Sequence, residues 1–447
     1  MNKTYVSTRN HQDQINFYQA IVQGIGDDGG LLVPNFDFQK LDLNKLVQLN
    51  YVDLATEVIS TFVPEDGKEL IHQACLNAYG KGLFPEIVVP VKKAGDVYVA
   101  ELFHGQTAAF KDMALSLLPH LMTLSLKQLK EDREVMILAA TSGDTGKAAL
   151  EGFKDVEGTC IKVFYPLDGV SAIQQQQVVS QEGKNVKVVG IHGNFDDAQS
   201  AVKVAFGDKM LKEVSDQHHV FLSSANSINV GRLIPQIVYY FHSYFELVRS
   251  KEIEMGDQVN FCVPSGNFGN ITAGLFGKKM GLPVKRFIAA NNRNDIFYQY
   301  LQTGKYNPRP SIATIANAMD VGDPSNFARV LDLYNGSHAA ISAEISGTTY
   351  TDEQIRETVK ETWKEHHYLL DPHGACGYRA LVEGLKEGET GVFLETAHPA
   401  KFLETVEGII GESVEIPAKL REFMKGEKKS LQMTKEFVDF KGYLLSL

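Results

Sequence analysis

Short apolar runs rich in β-branched residues recur through the middle of the chain, and helical patterns follow several of them. Residues 135–140, 161–166, 186–191, 259–264, 286–290 and 392–396 read as strands, because each is a brief apolar stretch bounded by turn-forming residues. Helical spacing of apolar positions follows the first of these through Phe153, and recurs over 196–206 and 270–280. Strands alternating with helices predict parallel sheets covered by helices on both faces, an α/β fold. The opening stretch is more mixed. Residues 14–22 and 71–79 are predicted helical, while 31–34, 87–91 and 97–100 are predicted strands. The charged stretch 419–429 reads as a solvated surface helix. This organisation divides the chain into a mixed N-terminal part, 1–95, a smaller α/β domain, 96–215, and a larger one, 216–447.

At 447 residues the chain is too long for one compact core. Its 44% hydrophobic and 22% charged residues are those of an ordinary globular protein. A formal charge of −11 with no basic tract argues against nucleic acid as a partner, since phosphate contacts need Lys and Arg on one face. A small anion in a local basic pocket stays compatible with that balance. No basic segment with an apolar run opens the sequence, and no window reaches the roughly 18 apolar residues of a membrane span. Cys75, Cys160, Cys262 and Cys376 are far apart and read as buried thiols of a reducing compartment. The cytoplasm is the expected location.

Several loops invite a chemical reading. Gly24-Ile25-Gly26-Asp27-Asp28-Gly29 matches GxGxxG, but a helix precedes it and a strand follows, the reverse of a dinucleotide site. It reads as a glycine-rich turn. Gly143-Asp144-Thr145-Gly146-Lys147 has the wrong spacing for a nucleotide P-loop, and Ala148 follows the lysine. What remains is a strand-to-helix loop with Thr141, Ser142 and Thr145, either an anion site at a helix N-terminus or an ordinary N-cap. Ser265-Gly266-Asn267-Phe268-Gly269-Asn270 occupies the same position in another unit. Its glycines allow a backbone cradle for a phosphate monoester, or a tight turn. Lys111 follows Phe110 at the start of a helical pattern over 113–126. Burial would keep its amine neutral, the form that condenses with an aldehyde. A phosphate cradle and a desolvated lysine suggest pyridoxal phosphate, against the alternative of one more solvated lysine. His218-His219 and His366-His367 have no carboxylate or cysteine at a familiar ligand spacing, so no metal is expected.

Taken together, the motifs resemble the threonine synthase family. The resemblance runs through Tyr5-Val6-Ser7-Thr8-Arg9-Asn10, Asp28-Gly29-Gly30-Leu31, Phe103-His104-Gly105 to Phe110-Lys111-Asp112, and Ala140-Thr141-Ser142-Gly143-Asp144-Thr145-Gly146. It continues through Ser224-Ala225-Asn226-Ser227-Ile228-Asn229, the loop 265–270, Asn317-Ala318-Met319-Asp320-Val321 and Thr396-Ala397-His398-Pro399-Ala400-Lys401-Phe402. It implies fold type II of the pyridoxal-phosphate enzymes, with two doubly wound, mostly parallel sheets and an N-terminal mixed subdomain. It implies Lys111 as the cofactor-bearing lysine, and Gly266, Asn267, Phe268, Gly269 and Asn270 as the cofactor phosphate loop. Thr396 would meet the pyridine nitrogen. Asn226, Ser227 and Arg232 would hold the substrate phosphate, and Thr141, Ser142 and Thr145 the amino-acid carboxylate. Two positions depart from the family pattern. Gln106 replaces a common proline, and Asp144 stands where related enzymes have asparagine, which leaves its role open.

The activity so implied converts O-phospho-L-homoserine and water to L-threonine and phosphate, by a monomer or homodimer. The rivals are another fold type II lyase, such as threonine dehydratase or cysteine synthase, and a non-catalytic phosphate-ligand binder. Arg232 beside Asn226 and Ser227 discriminates against the first, because those lyases need no second phosphate pocket.

Overall fold

The computed structural model describes residues 3–80, 82–141, 143–167, 170–426 and 429–446. Two largely parallel sheets organise the chain. The larger has six strands in the order Ile345–Thr349, Val284–Asn291, Val259–Pro264, Thr390–Glu395, Val97–Glu101 and Val91–Ala94. All its pairings are parallel except the last. The smaller has five parallel strands, Leu431–Thr434, Val186–His192, Thr159–Pro166, Glu134–Ala140 and Val220–Ser224. A third, antiparallel sheet of three short strands, Asn10–Asn16, Thr4–Ser7 and Leu32–Pro34, carries the N-terminal helices.

The central strands are buried along nearly their whole length, which is why they read as continuous apolar runs rather than alternating ones. The antiparallel edge strand Val91–Ala94 instead exposes Lys92 and Lys93, a charged rim that discourages pairing with another chain. The N-terminal helices are set by side chains that take the first free amides. Asn16 caps Phe17–Gln23 in a reciprocal capping box with Gln19, and Asn50 caps Tyr51–Ser60.

The chain crosses between the sheets more often than its linear order suggests. Strand Val91–Ala94, from the first stretch, and Val97–Glu101, from the second, both sit in the larger sheet. Strands Val220–Ser224 and Leu431–Thr434, from the third stretch, complete the smaller one. Other departures have local causes. Residues 87–89 form bends rather than a strand, since Pro90 has no N–H for a ladder. Residues 10–16 are strand, and the first helix starts only after its Asn16 cap. The helix predicted over 113–126 is two pieces, Asp112–Leu115 and Leu118–Leu129, the second with Pro119 in its first turn. The charged tail is helical only over Ala418–Phe423, and Glu427 and Lys428 lie outside the described residues.

The last helix, Phe437–Leu445, closes one face of the smaller sheet. Phe440 is 1% exposed, and its ring centroid lies 4.3 Å from that of Phe164. Phe440→Ala should cost about 3–5 kcal/mol of stability, the usual loss for a buried aromatic. Chemical denaturation followed by circular dichroism would measure it, and an unchanged midpoint would mean the helix is not part of the cooperative core.

Candidate active site

Five strands from the two parallel sheets release functional loops at their carboxyl ends, the place where open α/β sheets bind ligands. These loops line one cavity, which brings together Lys111, Thr145, Asn226, Ser227, Arg232, the loop 266–270 and Thr396.

Lys111 is set by the segment that follows strand Val97–Glu101. That segment pairs with the one after strand Thr390–Glu395. The Phe110 N–H donates to the Thr396 carbonyl at 2.8 Å, and the His398 N–H to the Ala108 carbonyl at 3.0 Å. This pairing fixes Lys111 beside Thr396. The Asp112 carboxylate accepts the Thr107 N–H at 2.8 Å and hydroxyl at 2.7 Å. A Cβ on Gly105 would stand 2.5 Å from the Cβ of Asp112, so only glycine allows that turn. The clamp acts on both neighbours of Gln106, so this loop is held without the proline common in the family. The Lys111 amine lies 4.3 Å from the centre of the Phe110 ring. Burial lowers its pKa to about 7, Arg232 adds to the effect, and Asp144 opposes it.

The loop 265–270 leads from strand Val259–Pro264 into helix Gly269–Lys279. Phe268 takes φ 65°, and the Asn270 side chain donates to the Pro264 carbonyl at 2.9 Å. Among the described residues, no protein acceptor takes the N–H groups of Gly266, Asn267 or Phe268. Free amides at a helix N-terminus, facing the cavity that holds Lys111, fit the phosphate of an aldehyde cofactor. Gly266 has a second reason to be glycine. Its Cβ would lie 2.9 Å from the Ala318 carbonyl oxygen, so the loop packs against the turn Asn317–Met319. Thr396 lines the cavity and its hydroxyl bonds no other described residue, which leaves it free for a ring nitrogen.

On the opposite wall Asn226 is committed to backbone. It accepts from the Ala140 N–H at 2.9 Å and donates to the Ala140 carbonyl at 2.7 Å, tying strand ends Glu134–Ala140 and Val220–Ser224 together. The Ser227 hydroxyl accepts from the Asn267 amide at 2.7 Å. Arg232 is 2% exposed. It donates to the Ala225 carbonyl at 2.6 Å, but its Nε has no partner and no carboxylate pairs with it among the described residues. Burial lowers even this guanidinium to about 10, so it stays charged.

The loop 141–146 divides its labour. Thr145 lines the cavity. Thr141 does not: its hydroxyl accepts the Gly143 and Gly146 N–H groups at 2.9 and 2.7 Å, the work of a cap. Ser142 lies outside the described residues. Asp144 is not among the lining residues either. It pairs with the buried Lys401 ammonium at 2.9 Å and accepts from Gln174 at 2.9 Å. Burial alone would raise its pKa, but Lys401 and Gln174 reverse the sign and hold the carboxylate ionised. Lys401 also donates to the Thr107 carbonyl and to Gln177, both at 2.8 Å, and so steadies the lysine segment.

His373 is a cavity residue that the sequence reading did not single out. Its Nε2 accepts the Ala318 N–H at 3.1 Å, so Nδ1 carries the proton and donates to Asp371 at 2.5 Å. Glu395, beneath Asp371, accepts the Asp371 N–H at 2.7 Å. Burial and the nearby Asp371 carboxylate push the Glu395 carboxyl well above the usual carboxylate range. The readable signal was Asp371-Pro372-His373, an N-cap followed by proline that marks a helix start.

Comparison with known proteins agrees with this geometry. Residues 89–396 match the family described as pyridoxal-phosphate dependent enzyme, 4–79 the threonine synthase N terminus, and 374–443 the threonine synthase C-terminal region. The chain is 38% identical to the threonine synthase of Haemophilus influenzae over 97% of each chain, and 39% identical to that of Escherichia coli over 93% of this chain and 92% of the other. Crystal structures of threonine synthase from Escherichia coli and, with pyridoxal phosphate bound, from Brucella melitensis are similar in fold. Their TM-scores are 0.89 and 0.87, at 36% and 33% identity, each covering 99% of both chains. With these family matches running along nearly the whole chain and relatives above 30% identical over almost its full length, the chain belongs to the threonine synthase family of pyridoxal-phosphate enzymes.

Proposed function

We propose that this enzyme converts O-phospho-L-homoserine and water to L-threonine and inorganic phosphate, as the last step of threonine synthesis. The observation that carries the reading is Arg232, a buried guanidinium with an unpartnered Nε and, among the described residues, no paired carboxylate, lining the cavity that also holds Lys111 and a separate cradle of free amides. A charge so enclosed is costly without a counter-charge, and a substrate phosphate supplies one in a matching fork geometry. The two anion sites then serve two phosphates, one that stays and one that leaves.

Pyridoxal phosphate, when bound, supplies the electron sink. Lys111 would hold it, and the lysine amine, with its pKa lowered to about 7, would be sufficiently deprotonated at neutral pH to take the α proton and to move protons at Cβ and Cγ. Arg232, with Ser227, holds the γ-phosphate and neutralises the charge that grows as it departs, while Asn226, its amide bonded to Ala140, has a supporting part in the same wall. Thr145, with Thr141 and Ser142 in the same loop, receives the carboxylate; the engaged Thr141 hydroxyl favours a supporting part for that residue. Thr396 presents a neutral hydroxyl to the ring nitrogen, and Gly266 to Asn270 hold the cofactor phosphate. No helix among the described residues is long and apolar enough to cross a membrane, and the −11 charge accords with a small-molecule substrate rather than nucleic acid. A cytoplasmic monomer or homodimer fits the same reading.

Phosphate release from O-phosphohomoserine tests the activity directly. Lys111→Ala should abolish turnover while leaving the fold intact. Because Lys111 is charged below its lowered pKa and neutral above it, cofactor attachment to cofactor-free enzyme should speed up as pH rises through about 7 and then level off. Stopped-flow absorbance would show this, and a rate still climbing at the pKa of a free lysine would contradict it. Arg232→Ala should lower kcat/KM by about thirtyfold or more, the low end for removing one partner of a desolvated ion pair, with cofactor affinity unchanged. Arg232→Lys should recover only part of the loss. Release of the cofactor with substrate affinity spared would mean the two phosphate sites are interchanged.

A further inference from the structure

Arg329, in helix Phe327–Leu333, is the other arginine enclosed by the protein, at 1% exposed. Its Nε donates to the Leu32 carbonyl at 3.1 Å. Its Nη1 donates to the Ser227 carbonyl at 2.8 Å and to the Asn326 side-chain oxygen at 2.6 Å, and its Nη2 to the Ile228 carbonyl at 2.6 Å. All four acceptors are neutral, and no carboxylate pairs with it among the described residues. Burial lowers its pKa to about 9, which leaves it charged at neutral pH. A neutral donor could serve carbonyl oxygens without the desolvation of a charge, so cross-linking alone does not account for a guanidinium here.

Its acceptors lead to both proposed phosphate sites. Ser227 and Ile228 belong to the wall beside Arg232. Asn326 belongs to the other side: its N–H and side-chain amide donate to the Asn267 carbonyl at 3.3 and 3.0 Å. The Asn267 side chain is fixed at both ends, accepting the Ser325 N–H at 2.6 Å and donating to the Ser227 hydroxyl at 2.7 Å. The wall and the loop are thus bonded to each other, with one guanidinium behind both.

We propose that Arg329 is a positioning residue shared by the two phosphate sites, setting the wall that takes the substrate phosphate and, through Asn326, the loop that takes the cofactor phosphate. This rests on the assignment of those two loops made above. Arg329 touches neither phosphate. It orients Ser227 and Asn267, and it places a positive charge where two anions must be held in one cavity. Asn326 carries only the connection to the loop, so its loss should be felt on that side alone.

Measurements on the full-length enzyme separate the possibilities. For Arg329→Met, the dissociation constant of pyridoxal phosphate should rise about tenfold or more, while that of pyridoxal, which lacks the phosphate, changes less than about threefold. The competitive inhibition constant of inorganic phosphate against O-phosphohomoserine should also rise about tenfold or more. Asn326→Ala should weaken pyridoxal phosphate binding only, and Arg232→Ala inorganic phosphate only. Should the Met variant fail to fold by circular dichroism, Arg329→Lys decides: it keeps the charge, loses the fork, and should weaken both ligands by about threefold or more. Equal losses for pyridoxal and pyridoxal phosphate, or a loss confined to one phosphate site, would overturn the shared role. Arg232→Ala with an unchanged phosphate constant would instead overturn the placement of the substrate phosphate, and the pyridoxal comparison would still test Arg329 at the loop.

Discussion

Two buried guanidiniums, neither paired with a carboxylate among the described residues, constrain the interior around Lys111. An enclosed charge must find its counter-charge somewhere, and among the described residues Arg232 and Arg329 bond only neutral oxygens. The proposed function gives that positive charge its counter-charge in anionic ligands. Lys111 shares the same interior, and the repulsion from Arg232 helps keep its amine neutral. Under the proposed function, one distribution of charge attracts phosphate and prepares a nucleophile and base. Either arginine paired to a carboxylate would weaken the attraction for phosphate, and in the case of Arg232 the preparation of Lys111 as well.

Holding such a site requires a scaffold that does not relax around it. The parallel sheets supply this by sending loops from the ends of five strands to one place, where side chains bond loop to loop. Asn226 joins two strand ends through Ala140, and the lysine segment pairs with the segment of Thr396 through backbone. His373, itself held by Asp371, supports the turn against which Gly266 packs. Asn226, His373 and Thr396 reach the cavity, while Asp371 and the paired backbone stand behind it. They remove the freedom by which the charged residues would otherwise turn toward carbonyls or solvent, and that rigidity lets an electrostatic site act without reorganising.

Much of this was legible in the sequence because the strand-to-helix loops carry their signals locally. Gly266 and Gly269 between an apolar run and a helical pattern, and Lys111 after Phe110, are readable from a few neighbouring residues. The contents of the two sheets were not. Strands such as Val220–Ser224 and Leu431–Thr434 are short and partly polar, and their places in the smaller sheet depend on pairings far away in the chain. The same limit hid Arg329. In sequence it is one more arginine on a short helix; its burial appears only when Leu32 and the adjacent Ser227 and Ile228 arrive from two distant regions of the chain. Thr141 shows the converse: the residue type suited an anion, yet the hydroxyl closes its own loop.

Asp144 shows how the chain distinguishes charges it cancels from charges it keeps. An ionised carboxylate in place of a neutral amide near the cofactor would repel a phenolate if it faced the cavity. Here the carboxylate meets Lys401, which is wholly buried, and the pair is close to neutral at a distance. Lys401 spends its remaining hydrogen bonds on Thr107 and Gln177, so the pair braces the lysine segment and adds little net charge to the cavity. The buried lysine therefore does mechanical work and is matched by an anion, whereas Arg232 and Arg329 are left unmatched. A neutral side chain at position 144 would leave Lys401 as one more buried cation without its paired carboxylate. The acidic residue at 144 and the lysine at 401 are best understood as one feature, since each makes the other tolerable in the interior.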